Sequence, residues 1–145
     1  MAADPLEWGE THAQAALSLS VDKAAFAAAA PIYLTMVLKN EGRGELVYLL
    51  KGVWDDFEFE VAHEGEPVGL TRFGRQMTEA RGAERTVTKS LAGGQSAVWE
   101  ILISRYFDMT TAGAYRVRAS RPVLSPGGDS RTVQSNELEI LVDET

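Results

Sequence analysis

Apolar residues in this chain recur at every second position in one segment after another, and a period of two is what a strand needs to bury one face. Ala15, Leu17, Leu19 and Val21 alternate with Ala16, Ser18 and Ser20. Ile32, Leu34, Met36 and Leu38 alternate with Tyr33, Thr35, Val37 and Lys39, and Phe57, Phe59 and Val61 with Glu58, Glu60 and Ala62. Tyr115, Val117 and Ala119 lie opposite Arg116, Arg118 and Ser120, and the chain closes through Val133, Leu138, Ile140 and Val142. Leu46 to Leu50 reads as a core strand and Val87 to Leu91 as a short one. Ser96 to Ser104 is apolar on both faces, which predicts a central place in a sheet. Turn residues separate the strands at Asn40 to Gly44, Glu64-Gly65-Glu66, Gly93-Gly94 and the proline and glycine stretch Arg121 to Asp129. Roughly seven to nine short strands at this spacing predict an all-β fold, an antiparallel two-sheet sandwich.

Two segments break the period. Ala24 to Ala30 holds six alanines and Phe26 and is helical by propensity, but Pro31 stops it, so a single turn or loop is expected. From Thr71 to Arg85, Phe73, Met77 and Ala80 fall at helical spacing between Gly74 and Gly82, and a short helix or a long ordered loop both fit. The organisation expected is an N-terminal extension over 1–14, the sandwich over 15–142 and a tail over 143–145, with no internal repeat. Met1-Ala2-Ala3 reads as a start placed before a processed N-terminus.

The chain has 145 residues, 45% of them hydrophobic, enough for a core that needs neither disulfide nor metal. It contains no cysteine, which excludes thiol catalysis, thiolate zinc sites and disulfide frameworks together. A net charge of -7 argues against nucleic acid and anionic membrane as partners, since both need a cationic face. No apolar run approaches the roughly 20 residues that span a bilayer, so no membrane insertion is expected, and the first residues lack the layout of a signal peptide.

A local motif narrows the fold: Asp108-Met109-Thr110-Thr111-Ala112-Gly113-Ala114-Tyr115-Arg116-Val117. In immunoglobulin-like sandwiches a tyrosine near the start of the penultimate strand turns its hydroxyl onto upstream backbone, two residues before a core position. Asp108, Gly113, Tyr115 and Val117 resemble that tyrosine corner and would be structural. Together with Leu38-Lys39-Asn40-Glu41-Gly42, Gly93-Gly94-Gln95-Ser96 before Trp99, Tyr106-Phe107-Asp108 and Ser135-Asn136, the chain resembles bacterial immunoglobulin-like domains from Ala15 to Val142. It is similar to the N-terminal sandwich of deuterolysin-like metallopeptidases and to intracellular proteinase inhibitors. It departs from them where alanines fill the first inter-strand turn, and the residues are expected to make the sandwich alone, or nearly so. The resemblance implies a non-catalytic binding or accessory domain of an exported or cell-surface bacterial system. A proteinase inhibitor and a carbohydrate- or calcium-binding module are the alternatives.

The residues themselves point away from catalysis. His12 and His63 are the only histidines, and His63-Glu64-Gly65-Glu66-Pro67 places Pro67 where a zinc-peptidase helix needs its second histidine, so His63 reads as a solvated turn residue. No nucleophile elbow or phosphate loop is present, and no cofactor or metal is expected. Asp55, Asp56, Glu58, Glu60, Glu64 and Glu66 face no Lys or Arg between Gly52 and Thr71. Glu58 and Glu60 lie about 6.6 Å apart along a strand, so a solvated outer face is expected rather than a calcium site. Arg72, Arg75, Arg81, Arg85 and Lys89 follow, with only Glu79 and Glu84 among them, and this reversal of sign suggests a surface that orients a protein partner. Of the tryptophans Trp8, Trp54 and Trp99, Trp99 is expected in the core and Trp54 exposed at a strand edge. The candidate partner-binding residues are therefore Trp54, Asp55, Asp56, Arg72, Arg75 and Arg81, and the expected partner is another protein.

Overall fold

Where the alternation runs unbroken the backbone is extended, and where aromatics and turn residues crowd it the strands stop. The computed structural model describes residues 6–82, 85–125 and 128–143. The first half comprises β1 (Ala15–Val21), β2 (Ala25–Phe26), β3 (Tyr33–Asn40), β4 (Leu46–Leu50), α1 (Val53–Asp56), β5 (Glu58–His63) and β6 (Glu66–Pro67). It is followed by α2 (Arg72–Glu79), β7 (Val87–Leu91), β8 (Ser96–Leu102), α3 (Ile103–Tyr106), β9 (Gly113–Leu124), β10 (Ser130–Gln134) and β11 (Leu138–Val142).

These strands form an all-β, two-sheet sandwich. One sheet has the antiparallel order β1-β3-β8. The other follows β2-β11-β9-β4-β7, with β10 and β5 also paired to β9 and β6 to β5. Its spine is β9, 12 residues long, whose first half lies between β5 and β11 and whose second half pairs with β10 and, at Leu124, with β4. The pairing of β2 with β11 is parallel. Leu17, Leu34, Met36 and Ile101 from the first sheet meet Leu46, Val61, Val117 and Ile140 from the second in a closed core. Burial of such side chains, at about 25 cal/mol per Å², is the main favourable term.

Eleven strands occur among the described residues because β2 and β6 are two-residue pieces and the closing strand is divided. The division falls at Ser135-Asn136: the Ser135 hydroxyl accepts from the Ala119 amide (2.9 Å), and the Asn136 side chain bonds both the amide (2.8 Å) and the carbonyl (2.9 Å) of Leu19. Asn136 thereby ties the second sheet to β1.

Three expectations need correction. The strand expected from Asp56 begins at Glu58, because residues 53–56 form a helical turn whose buried Asp56 carboxylate accepts from the Lys51 and Gly52 amides at 3.1–3.3 Å. The strand expected at the centre of a sheet, Ser96 to Ser104, ends at Leu102 and lies at an edge, pairing with β3 alone among the described residues. Its second apolar face is open, with Val98 64% exposed. The loop expected from Arg121 is strand through Pro122 to Leu124, since Thr132 pairs with Pro122 and Val133 with Arg121. Of the other expectations, those touching Met1-Ala2-Ala3, Glu84, Pro126-Gly127 and residues 144–145 lie outside the described residues.

Candidate functional site

The irregular segment after Thr71 is a helix fastened to the sandwich. Thr71 caps α2, its hydroxyl oxygen accepting from the Gly74 amide at 3.0 Å, which satisfies a donor the helix leaves free. Gly74 lies so close to α3 that a Cβ there would come within 2.2 Å of the Tyr106 carbonyl oxygen, so only glycine permits the contact. Thr78 donates to the Gly74 carbonyl (2.8 Å) and accepts from the Trp54 indole nitrogen (3.1 Å).

Trp54, expected at the surface, is 5% exposed. Its ring stacks on Tyr106 at 4.4 Å and Phe59 at 5.9 Å, because the helical turn α1 rotates it inward beneath α2. Arg81 lies 4.9 Å over that ring and donates to the Trp54 carbonyl (2.9 Å) and to Glu58 (3.0 Å). Arg81 is therefore part of the clamp that closes the aromatic cluster, and Asp56 is held by backbone amides; neither is free for a partner. Three of the six expected docking residues stay at or near the surface. Arg72 and Arg75 are exposed on α2, with Arg75 donating to the Leu70 carbonyl at 2.8 Å, and Asp55 is half-buried. Asp55 lines a shallow cleft of about 150 Å³ with Lys51, Met77, Ala80 and Tyr106.

At the other end of β5, the loop before β9 is pinned from several sides. Tyr115 is 1% exposed and donates its hydroxyl to the Thr111 carbonyl at 2.6 Å. Burial pushes the phenol's pKa up, the bonds to Thr111 oppose that shift, and the Asp108 charge adds to it. Asp108 accepts from the Thr110 hydroxyl (2.6 Å) and amide (3.3 Å), and Val117 is fully buried. His63, expected in solvent, is half-buried: its Nε2 lies 2.8 Å from the Ala112 carbonyl, and its ring is 4.6 Å from that of Tyr115. Since a carbonyl only accepts, Nε2 carries the proton. Gly113 sits at φ 132, and a Cβ there would come within 2.5 Å of that nitrogen.

The acids are dispersed rather than converging. Glu58 pairs with Arg81, Glu60 lies across from Arg118 in the β5–β9 register, and Glu64 accepts from the Ala114 amide at 3.3 Å. Arg116 and Arg118 on β9 bridge to Glu137 at 2.7 and 3.6 Å, so the spine carries positive charge between acidic neighbours. Among the described residues no three His, Asp or Glu side chains come together as a metal shell.

One buried charge has no signal in the sequence. Arg121 is 1% exposed, with its guanidinium 5.1 Å from each of the Tyr48, Phe57 and Trp99 ring centres and a bond to the Leu49 carbonyl at 2.7 Å. Burial lowers its pKa, and Asp56 and Tyr48 oppose the shift. Trp99, expected in the core, points its ring there from the edge strand and stays half-buried.

No known protein-family model matches this chain, and no curated protein is detectably similar to it. Chemically, the arrangement is a rigid mount. It holds α2 against the sandwich through one cap, one glycine contact and an arginine-closed aromatic stack, with Arg72, Arg75 and Glu79 exposed on the outer face.

Proposed function

We propose that this chain is a non-catalytic, immunoglobulin-like binding or accessory domain that docks another protein through α2, within an exported or cell-surface bacterial system. The order β1-β3-β8 against β2-β11-β9-β4-β7, with a short β2 parallel to the closing strand, fits that fold, as does the Tyr115 hydroxyl bond two residues before buried Val117.

The observation that carries the docking reading is the mounting of α2. An isolated eight-residue helix is unstable in water, yet here Thr71, Gly74 and Thr78 fasten it while Arg72, Arg75 and Gln76 stay exposed. A rigid element loses little entropy on binding and lets a few charges orient a partner. The proteinase-inhibitor and carbohydrate-binding alternatives draw no comparable support, since residues 72–79 are helical rather than extended and Trp54 is buried.

The test places a photo-reactive side chain at Gln76 and exposes the chain to extracts of its native source. The expected result is one saturable adduct that weakens with salt and disappears with Arg72→Ser plus Arg75→Ser, but survives Arg131→Ser on β10. Adducts indifferent to the paired substitution would reject α2 as the docking element.

A further inference from the structure

The edge strand β8 pairs with β3 through seven consecutive residues without a bulge, from Ser96 opposite Lys39 to Leu102 opposite Tyr33. The bonds at its two ends fix which groups remain free. Asn40 donates to the Gln95 carbonyl and Ile103 to the Ile32 carbonyl, each at 3.0 Å. Antiparallel ladders alternate, so Ala97, Trp99 and Ile101 direct their N–H and C=O toward β3, and Ser96, Val98, Glu100 and Leu102 direct theirs to the open side. The latter four are also the residues whose side chains face outward, where Val98 is 64% and Tyr33 47% exposed.

Sheet edges in soluble proteins are ordinarily blunted by lysine, proline, a bulge or shortness. Four other edges of this fold follow that rule among the described residues. β2 and β6 have two residues each, β7 has five and carries Lys89, and β1 is covered by Gly9, whose amide reaches the Leu17 carbonyl, and by Asn136. Against these β8 sets only the charge of Glu100. Its sequence, Ser96-Ala-Val-Trp-Glu-Ile-Leu, has no proline or lysine and a single charge.

We propose that β8 pairs with the β8 of a second copy of this chain, antiparallel, across a two-fold axis at Val98. The free groups allow few symmetric registers: an axis at Ala97 pairs only residues 96–98 of β8 with each other, and Glu100 chooses among the longer overlaps. An axis at Glu100 sets two carboxylates side by side, and an axis at Trp99 sets Val98 against Glu100 with the two carboxylates on a diagonal roughly 7–8 Å apart. An axis at Val98 sets Val98 against Val98 and Glu100 against Ser96, and on the inner face it sets Trp99 against Ala97. Apolar meets apolar, large meets small, and the like charges separate to opposite ends. The result is one six-stranded sheet, β1-β3-β8 continued by its own copy. Each copy carries a net charge of -7, so the copies repel at long range and the association strengthens as salt screens them. This proposal does not depend on the reading of α2.

The chain has no cysteine, so a single introduced thiol reports the register directly. Across an axis at Val98 the two residue 98 Cα atoms lie about 5.5 Å apart, within the span a disulfide bridges, whereas the two at 96 lie about 14 Å apart. With far-ultraviolet spectra confirming the fold, Val98→Cys is expected to give a disulfide-linked dimer under mild oxidation in conditions that leave Ser96→Cys, which keeps Glu100, monomeric. Sedimentation of the unaltered chain is expected to show a monomer–dimer equilibrium shifted to dimer from 0.01 to 0.5 M salt and abolished by Val98→Lys. Equal cross-linking at both positions, cross-linking at neither, a dimer untouched by Val98→Lys, or a monomer at every salt concentration would overturn it. So would an extended peptide captured on β8 of a chain that does not pair with itself.

Discussion

Replacing Tyr115 with Phe removes one oxygen from the molecule and, with it, the 2.6 Å donation to the Thr111 carbonyl. The ring stays against His63 and inside the core, so the packing term is unchanged. A buried acceptor left without a donor costs about 1–3 kcal/mol. Thr111 itself is exposed, so water can reach part of that carbonyl, and the loss falls toward the lower half of the range, about 1.5 kcal/mol. For a chain of this size that is roughly 4 °C in Tm. Urea unfolding, followed by tryptophan fluorescence, is expected to show a lower midpoint with an unchanged slope, because the surface exposed on unfolding is the same. A change under about 0.3 kcal/mol would mean that water fully replaces the bond and that the hydroxyl does not hold the loop.

The same hydroxyl sets an alkaline limit. Its raised pKa means that the folded chain keeps the proton where the unfolded chain loses it, so the contribution is whole below about pH 10 and is lost as pH rises through the folded value. Tm is therefore expected to fall above pH 10, less steeply in Tyr115→Phe. Gly113→Ala forces a side chain onto φ 132 and into His63, and a loss of about 2 kcal/mol in chemical denaturation is expected, larger than for Gly44→Ala, where no atom lies within 4 Å. Arg81→Ser removes the bond to the Trp54 carbonyl and the cation over its ring, an expected cost of about 2 kcal/mol with a shifted tryptophan emission. Arg72→Ser with Arg75→Ser, both exposed, is expected to stay within about 1 kcal/mol in the same assay.

Period-two patterning made the strands legible, because burying one face of a sheet leaves its mark on every second residue. The Tyr115–Val117 relation was legible for a related reason: a turn that needs a phenol two residues before a core position keeps both in a short window. The misplaced features depend on contacts distant in sequence. Asp56 looks like one acid among six, and only the fold brings the Lys51 and Gly52 amides to its carboxylate. Arg121 opens a proline and glycine stretch and reads as loop, but three rings from three strands or their flanks enclose it, and cation–π burial leaves no periodic trace. Trp54 stands beside Asp55 and Asp56, which in sequence suggest solvent, whereas a single helical turn carries it under α2. The apolar character of both faces of β8 pointed to a central strand, since sequence cannot distinguish a face buried by a neighbour from one left open. Gly74 offers the one local hint of the mount: a glycine inside a helical pattern often marks close approach of another backbone.

Amide hydrogen exchange reads whether α2 is fastened to the sandwich as a rigid platform for its exposed arginines. In α2 the Arg75 amide bonds the Thr71 carbonyl at 2.9 Å and the Ala80 amide the Gln76 carbonyl at 3.1 Å. A free helix this short would exchange at nearly unstructured rates. The expected result is slow exchange at Arg75 and Ala80 in the free chain, accelerated when Thr71→Ala removes the cap, while β9 keeps its protection. Exchange at both amides as fast as in an unstructured peptide would mean a mobile loop in place of a mounted helix.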